Sequence, residues 1–282
     1  MRNNLTTKNL SLCAQHVKIY DWDHFFCAFF APEAKRETLM RLLAFNAEIT
    51  RAVSLSTSWS IAGPMAGLIR LQWWRELIEN RNNRDHEIAQ PIRDAISSQE
   101  LKHQDLLSLI DAREAELEGI EDWHQWRQIM MTSSGKVQSL TAQIMGVTDP
   151  MLLQAVASLG VAYENIRLAR YLPTILQSGR CPFPKTIIEK YHLIRGEDGI
   201  RISQEDTQSL RDILIQEVHY FLKQGTLATT LPKEAIVAIL PIVFCKRDLK
   251  KSRCWDKMPA IRGIGDRLAV IYTAYKGSIA SF

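Results

Sequence analysis

The sequence predicts an all-α protein, and three observations lead to that prediction. Apolar residues recur at three- and four-residue spacing along most of the chain, as on one face of an amphipathic helix. No segment of useful length shows the strict alternation of a half-buried strand, and no repeat occurs at a solenoid period. Glycine, proline and polar residues stand between the periodic segments, where helices begin and end.

The composition is that of a globular protein with a sizeable core. The 282 residues are 46% hydrophobic and 23% charged, which is ordinary for such proteins. The net charge of +4 is small and evenly spread, so nucleic-acid binding is not predicted. Because no Pro/Ser-rich linker is long enough to divide the chain, we predict one domain over residues 1–282, with the roughly 18 N-terminal residues flexible.

The cysteines and the apolar runs bear on the compartment. There are five cysteines, an odd number, with no C-x-x-C pair, and the N-terminus lacks the apolar run of a secretory signal. The most apolar stretch, residues 235–245, contains Pro241 and is too short to span a bilayer. We expect a cytoplasmic protein, with peripheral contact at the inner (cytoplasmic) membrane left open.

Helices follow one another through the N-terminal half. An aromatic-rich helix is predicted over residues 20–31 and ends at Pro32, which suits the first turn of a long amphipathic helix over residues 33–53. The other helices of this half are predicted over residues 61–78, 91–96, 101–117 and 123–145.

The stretch from residue 159 to residue 184 is central to the prediction. Its first half is a helix, Gly179 supplies the stop, and Pro184 prevents a helix from restarting there. Arg167 and Arg170 lie three residues apart and are expected to lean the same way. Since a buried guanidinium needs a partner or a cavity, each arginine is expected to have one or the other.

The C-terminal third is predicted as a short helix followed by longer ones. The short helix covers residues 185–191, residues 192–203 are irregular, and further helices span about 204–224, 232–246 and 260–280. A basic segment separates the last two, with the cations Lys246, Arg247, Lys250, Lys251, Arg253 and Lys257. A solvated loop is the plainer interpretation, and contact with anionic lipid head groups, at about 1 kcal/mol per residue, is the alternative.

The residues Gly160, Ala162, Gly179, Arg180 and Pro184 form a G-x-A…G-R-x-x-x-P pattern. The pattern resembles the second signature helix of the squalene/phytoene synthase family. The resemblance implies an isoprenoid-synthase-like helical bundle around a central cavity. It also implies head-to-head condensation of two isoprenoid diphosphates, with Mg²⁺ held by aspartate motifs on two helices.

Neither aspartate motif implied by the resemblance is found in this chain. Phe45-x-x-Glu48 resembles the start of the first signature, but Glu48 is the only acid there and falls about one turn early. Without the resemblance, Glu48 and Arg51 would form an ordinary surface ion pair. The positions where the family carries its acids are Thr50, Arg51 and Ser54 in the first motif, and Tyr171 and Ile175 in the second.

The run from Arg70 to Arg75 resembles the R-x-Q-W-W-R segment of bacterial relatives. One of its two tryptophans is expected in the core and the other against a neighbouring helix. Both arginines are candidates for phosphate recognition, which suits the bidentate guanidinium. Farther along, Asp111 and Arg113 match the family's L-I-D-x-R run and are expected to reach different neighbours.

Asp21 and Asp23 stand where the family usually carries two serines near the diphosphate. One of them is expected to cap the helix that follows, because aspartate is favoured at that position. Together with Glu48 they are also an alternative set of metal ligands. If the three carboxylates converged they would hold Mg²⁺, and the chain would be a divergent, active prenyl transferase.

The overall pattern resembles the branch of the family that contains the mitochondrial assembly factor for respiratory complex I and its alphaproteobacterial relatives. We therefore predict a non-catalytic member without a cofactor, acting in respiratory complex assembly or in binding an anionic or isoprenoid lipid-like ligand. A plain interaction domain with a filled cavity is the third option. The predicted cavity residues are Glu48, Arg51, Arg70, Arg75, Arg167 and Arg170.

Overall fold

The all-α prediction is confirmed by the computed structural model, which describes residues 10–55, 63–81, 86–196, 199–252, 255 and 262–279. The first helices, α1 to α6, are Leu12–Tyr20, Trp22–Ala28, Glu33–Leu55, Gly63–Ile78, Ala89–Ser97 and His103–Glu118. Helices α7 to α13 are Trp123–Met130, Lys136–Ile144, Pro150–Gln177, Lys185–Lys190, Gln204–Gln224, Pro241–Lys251 and Ile264–Lys276. The organisation as one domain over residues 1–282 stays a prediction.

Helix α9 is the centre of the fold. Asp149 caps its start by accepting a hydrogen bond from the Met151 N–H, and Pro150 occupies the first turn, where its missing N–H costs nothing. Seventeen of its residues are buried, which is typical of a helix surrounded by others. It packs against α8, α11 and α12. The side chains that α9 turns towards its neighbours therefore decide what lies inside the bundle.

The helix predicted over residues 123–145 is interrupted by a π-helical turn, Met131–Gly135, between α7 and α8. Helix α9 approaches this turn so closely that a Cβ on Gly160 would lie 2.8 Å from the Ser134 carbonyl oxygen. A Cβ on Gly135 would lie 3.0 Å from the Ala157 carbonyl oxygen. The two glycines let the backbones meet, and π turns of this kind are frequent at functional sites.

Helix α1 covers residues for which the sequence predicts flexibility. Ser11 caps it by accepting a hydrogen bond from the Ala14 N–H at 3.1 Å, and Cys13 and Val17 are buried where α1 packs on α3. The expectation of flexibility is therefore wrong for residues 12–18, because a nine-residue helix is too short to show a clear period. Residues 1–9 lie outside the described residues.

The C-terminal part differs from its prediction in two places. Residues 195–200 include a short antiparallel pair, β1 (Arg195–Gly196) and β2 (Gly199–Ile200), in which Arg195 lies opposite Ile200. The helix predicted over residues 232–246 is a 3₁₀ segment, Lys233–Ile239, followed by α12.

Helix α12 continues to Lys251, so the first half of the predicted basic loop is helical. Lysine and arginine are good helix formers, and cations in the last turn are favoured by the helix dipole. Arg253 and Lys257 lie outside the described residues. None of the helices in the described ranges is long and apolar enough to cross a bilayer.

Candidate functional site

A polar cavity of about 170 Å³ lies beside α9, where α1, α2, α3, α6, α8 and the π turn meet. Its wall includes apolar side chains such as Ala47 and Val137. Its ionisable lining residues are Tyr20, Asp21, His24, Arg51, Arg113, Tyr163, Glu164 and Arg167. The cavity thus presents charged and hydrogen-bonding groups as well as apolar surface.

Arg167 reaches the cavity from α9 and is bound by an acid of the same helix. Its Nε and Nη2 donate to the two carboxylate oxygens of Glu164, both at 2.7 Å, because the two residues lie three apart on one face. Burial works against the charge of Arg167, but Glu164 and the nearby Asp21 carboxylate raise its pKa above the ordinary arginine value. Arg167 is therefore a fixed cation with its own counter-ion.

Arg113 enters the cavity from α6. Its Nη1 donates to Glu116 and its Nη2 to the Thr50 hydroxyl, each at 3.1 Å. Burial lowers the pKa of Arg113, while Arg180 and Arg113 together hold the pKa of the buried Glu116 below its ordinary value. The Nε of Arg113 is buried and has no hydrogen-bond partner among the described residues.

Arg51 lies at the α3 side of the cavity. Its guanidinium is 3.9 Å from the ring centre of Tyr20 and donates to Glu48. His16 lies 2.8 Å from the same carboxylate. Burial favours the neutral form of Glu48, but the contact with His16 and the charge of Arg51 outweigh it and lower the pKa of Glu48.

His24 and Asp21 form a half-buried pair on the wall made by α2. Asp21 caps α2 by accepting from the His24 backbone N–H at 3.3 Å, as predicted, and its Oδ2 lies 2.8 Å from His24 Nδ1. Burial disfavours the protonated form of His24, but the effect of the Asp21 carboxylate is larger and raises the pKa of His24. Burial likewise opposes ionisation of Asp21, and His24 outweighs it, so the pKa of Asp21 is lowered. The second ring nitrogen of His24 faces Gln138.

A buried network of charges lies behind the cavity. The Tyr163 hydroxyl donates to Asp23 at 2.9 Å, and Arg262 donates both to Asp23, at 2.6 Å, and to Asp248, at 2.8 Å. Arg170 donates to Asp248 as well. Burial raises the pKa of Asp248 in spite of the two arginines. This network joins α2, α9 and α12 to the segment that begins α13.

Of the six residues predicted to line the cavity, two do so, namely Arg51 and Arg167. Arg170 faces away from it, because its partner is Asp248 on α12 whereas the partner of Arg167 is Glu164. The expectation that Arg167 and Arg170 lean the same way is therefore wrong. Glu48 lies behind Arg51 and is not part of the lining.

The two arginines of the R-x-Q-W-W-R run also lie elsewhere. Arg70 is exposed on α4. Arg75 donates to Asp111 and Glu114, both at 2.7 Å, and so ties α4 to α6 outside the cavity. Asp111 and Arg113 do reach different neighbours, as predicted. Trp74 is buried, as expected for one tryptophan of the pair, and Trp73 packs edge-on against it on the same helix with ring centres 4.7 Å apart.

Of the positions where the family carries its acids, those of the first motif line the cavity and those of the second do not. Thr50 and Ser54 line the cavity together with Arg51. Tyr171 and Ile175 follow Arg167 by one and two turns, but both lie outside the lining, and Tyr171 is 37% exposed. The site residues that the sequence does not single out are His24, Gln138, Glu164, Asp248 and Arg262. The three-residue spacings of Glu164–Arg167 and Asp21–His24 are local signals, whereas Gln138, Asp248 and Arg262 meet their partners through the fold.

The carboxylates near the cavity do not fit a magnesium ion. Asp21, Asp23 and Glu48, the alternative ligand set, are engaged by His24, Arg262 and Arg51 respectively. In the part of the chain that the structure describes, no group of three or more His, Cys, Asp or Glu residues is placed to hold a metal ion. Since Mg²⁺ needs near-octahedral oxygen ligands, the alternative site on these three carboxylates is not formed.

Comparison with known proteins places this geometry in context. The sequence profile described as squalene/phytoene synthase matches residues 17–253. A Drosophila melanogaster protein named NADH dehydrogenase (ubiquinone) complex I, assembly factor 6 homolog is 26% identical over 216 residues, 72% of this chain and 61% of that protein. The chain thus spans about three fifths of the length of that relative.

Solved structures share the fold at low sequence identity. A dehydrosqualene synthase in complex with a ligand superposes with a TM-score of 0.66 at 10% identity, over 94% of both chains. The squalene synthase HpnC of Alicyclobacillus acidocaldarius gives 0.59 at 14% identity, over 94% of this chain and 93% of that one. YisP of Bacillus subtilis gives 0.56 at 16% identity, over 92% and 93%. Identities this low speak for the fold alone.

Proposed function

We propose that this chain, which belongs to the squalene/phytoene synthase family, is a non-catalytic member that serves in the assembly of a respiratory enzyme. The membership and the all-α bundle agree with the resemblance of the signature helices. One observation carries the proposal: among the described residues, each carboxylate in or directly behind the cavity wall is already bonded to a cation of the protein. The pairs are Asp21–His24, Asp23–Arg262, Glu48–Arg51, Glu116–Arg180 and Glu164–Arg167.

This arrangement opposes the chemistry that the family scaffold supports elsewhere. Ionising a diphosphate leaving group requires a divalent cation that neutralises the developing charge, and Mg²⁺ is held by carboxylates. Here the metal would have to displace an arginine or a histidine from each carboxylate. The wall at Thr50, Arg51 and Ser54 supplies neutral and positive groups instead.

The size of the cavity supports the same proposal. Small-molecule sites commonly measure about 300–1,000 Å³ and are mostly apolar. The cavity beside α9 measures about 170 Å³, and only about half of its wall is apolar. Two long prenyl chains would need a larger and more apolar space than this cavity provides.

The assembly role follows the name of the Drosophila melanogaster relative, which this chain covers over 61% of its length. It is tested by disrupting the gene in its host and measuring NADH:quinone oxidoreductase activity in membranes. We expect that activity to fall and to return with the wild-type gene. Unchanged respiratory activity together with a lost prenyl product would contradict the proposal.

A second role, the binding of a small anionic ligand or lipid head group, is favoured by one unsatisfied donor. Arg113 Nε is buried, belongs to a cavity-lining residue, and has no hydrogen-bond partner among the described residues. Buried polar atoms of this kind normally find a partner, so a small occupant is expected.

Calorimetric titration with inorganic diphosphate in the presence of EDTA tests this second role. We expect metal-independent binding that is weakened by Arg51→Met, which removes a cavity cation. Arg70→Met is the matched control, because Arg70 is exposed on α4 and lies outside the cavity. Equal binding by the two variants, or no heat with the wild type, would contradict binding at this site.

We also propose a cytoplasmic location with peripheral contact at the membrane that carries the respiratory enzymes. The four cysteines in the described ranges are unpaired, as expected in a reducing compartment. Burial raises the pKa of Cys13 to about 12 and that of Cys181 to about 11, so these thiols are protonated and inert at neutral pH.

A further inference from the structure

Helix α13 turns an apolar face towards solvent. Its exposed large side chains are Ile264, Leu268, Ile271, Tyr272 and Tyr275, with exposed fractions between 43% for Ile271 and 82% for Tyr275. At about 100° per residue these five fall within an arc of roughly 100° on one side of the helix. Contiguous apolar surface of this kind marks an interaction site. We name this arc the α13 stripe.

The opposite face of α13 is firmly attached, so the stripe has a fixed orientation. Val270 and Asp266 are buried. Asp266 accepts hydrogen bonds from Arg247 and from Lys251 on α12, the latter at 3.1 Å. These two partners outweigh the effect of burial and lower the pKa of Asp266 to about 2, so it stays charged. The helix therefore cannot turn its apolar side inward without breaking these ion pairs.

Positive charge borders the α13 stripe. Arg267 and Lys276 each lie about 40° beyond one edge of it on the helical wheel. The acids of α12 and α13 are Asp248 and Asp266, and both are buried and paired with cations. Lys250 is exposed on the neighbouring α12. The exposed charges of the two helices, within the described residues, are thus all positive.

We propose that α13 docks on an anionic phospholipid bilayer, lying in the plane of the interface with the stripe against the acyl boundary. Helices that bind in this way have an apolar face, aromatic side chains and flanking lysine and arginine that reach the head groups. The adjacent Tyr272 and Tyr275 supply the amphipathic rings typical of the interface. An apolar protein groove also accepts a helix face, and the positive charge beside the stripe favours the anionic bilayer over it.

This inference deepens the peripheral membrane contact of the proposed function by naming the surface, and it is independent of the cavity. The experiment is co-sedimentation of the full chain with vesicles of phosphatidylcholine, with and without phosphatidylglycerol. We expect binding to the anionic vesicles that weakens as salt is raised, since the head-group attraction is screened. Binding to neutral vesicles should be much weaker.

One double variant and one matched control test the apolar stripe. Leu268→Ser with Tyr275→Ser should lower partitioning at least about tenfold, because both side chains leave the apolar stripe. The matched control is Met65→Ser with Ile69→Ser, two exposed apolar residues of α4 that are 59% and 63% exposed. It should bind like the wild type.

The charge of the border is tested separately. Lys250→Glu with Lys276→Glu should abolish the preference for phosphatidylglycerol. These substitutions change exposed residues, so thermal unfolding should match the wild type and any loss of binding reports the surface.

The outcomes separate this inference from the proposed function. No vesicle binding by the wild type, or equal binding by the stripe variant and its α4 control, overturns the inference. If the stripe variant fails to restore respiratory activity in the host while the wild type ignores vesicles, the occupant is a protein and the lipid proposal is wrong. Vesicle binding by a protein that also makes a prenyl product would uphold the surface and overturn the non-catalytic role.

Discussion

Replacing Arg262 by methionine should remove the clamp that joins the two ends of the chain. Arg262 precedes α13, and its side chain is 6% exposed. It donates to Asp23, 239 residues away in sequence, and to both oxygens of Asp248 at 2.8 Å. Methionine keeps an unbranched apolar stem against Phe244, whose ring centre lies 4.5 Å from the guanidinium, but it has no donors.

The magnitude follows from what the substitution leaves behind. Asp248 is fully buried and would keep Arg170, while Asp23 would keep Tyr163. Removing one partner of a buried ion pair costs about 3–5 kcal/mol when the remaining charge is left without compensation. Because Asp248 keeps Arg170 and Asp23 keeps Tyr163, we expect a loss at the lower end of that range. The hydrogen bonds of Arg262 share one guanidinium, so their contributions to stability are not additive. The expected loss is therefore smaller than the sum over the individual hydrogen bonds.

Urea unfolding followed by circular dichroism measures this loss. The control is Lys185→Met, whose exposed pair with Glu121 should contribute less than about 1 kcal/mol. Burial already raises the pKa of Asp248 in the folded protein, and losing Arg262 should raise it further. The variant should therefore lose most stability at pH values where Asp248 is ionised in the unfolded chain. Part of the loss should therefore return as the pH falls towards about 4. Equal stability losses for Arg262→Met and Lys185→Met would refute this reasoning.

Two further predictions concern the cavity wall. Gly160→Ala should destabilise by about 1–3 kcal/mol in thermal unfolding, because the new Cβ would lie 2.8 Å from the Ser134 carbonyl oxygen, whereas Gly196→Ala, with its nearest atom at 3.6 Å, should be tolerated. The stability that His24 contributes should be fully present below about pH 6.5 and lost as the pH rises through its raised folded-state pKa. The stability from Asp21, whose pKa is lowered, should be present above about pH 4 and lost as the pH falls through its folded-state value. The difference in unfolding free energy between the wild type and His24→Gln should therefore be largest near pH 6 and shrink by pH 9; a difference that grows with pH would contradict the pair.

Much of the helical framework could be predicted from local sequence. Helix α11 occupies the predicted residues 204–224, and α3 extends the predicted 33–53 by two residues, because apolar spacing and end signals are properties of the segment itself. The cap by Asp21 and the buried position of one of the two adjacent tryptophans were predictable for the same reason. Helix α1 and the π turn were not, because the first is short and the second depends on the close approach of α9.

The candidate site was harder to predict, because several of its partners come from distant parts of the chain. Residue spacing indicates which residues share a helix face, but not which face is buried. On α4 the buried face is the one that carries Trp74, and Arg70 is exposed. Arg170 was predicted for the cavity and instead meets Asp248, 78 residues later. Arg262 and Asp23 form a pair although they are separated by almost the whole length of the sequence. No local sequence pattern indicates such a contact.

The most direct measurement of the central claim is a product assay on the purified full chain. The protein is incubated with Mg²⁺ and radiolabelled farnesyl or geranylgeranyl diphosphate, and the organic extract is analysed for squalene and phytoene. Because each carboxylate that the structure describes around the cavity is held by a cation of the protein, we predict no diphosphate release and no condensed product. Formation of either hydrocarbon in a Mg²⁺-dependent manner would contradict it.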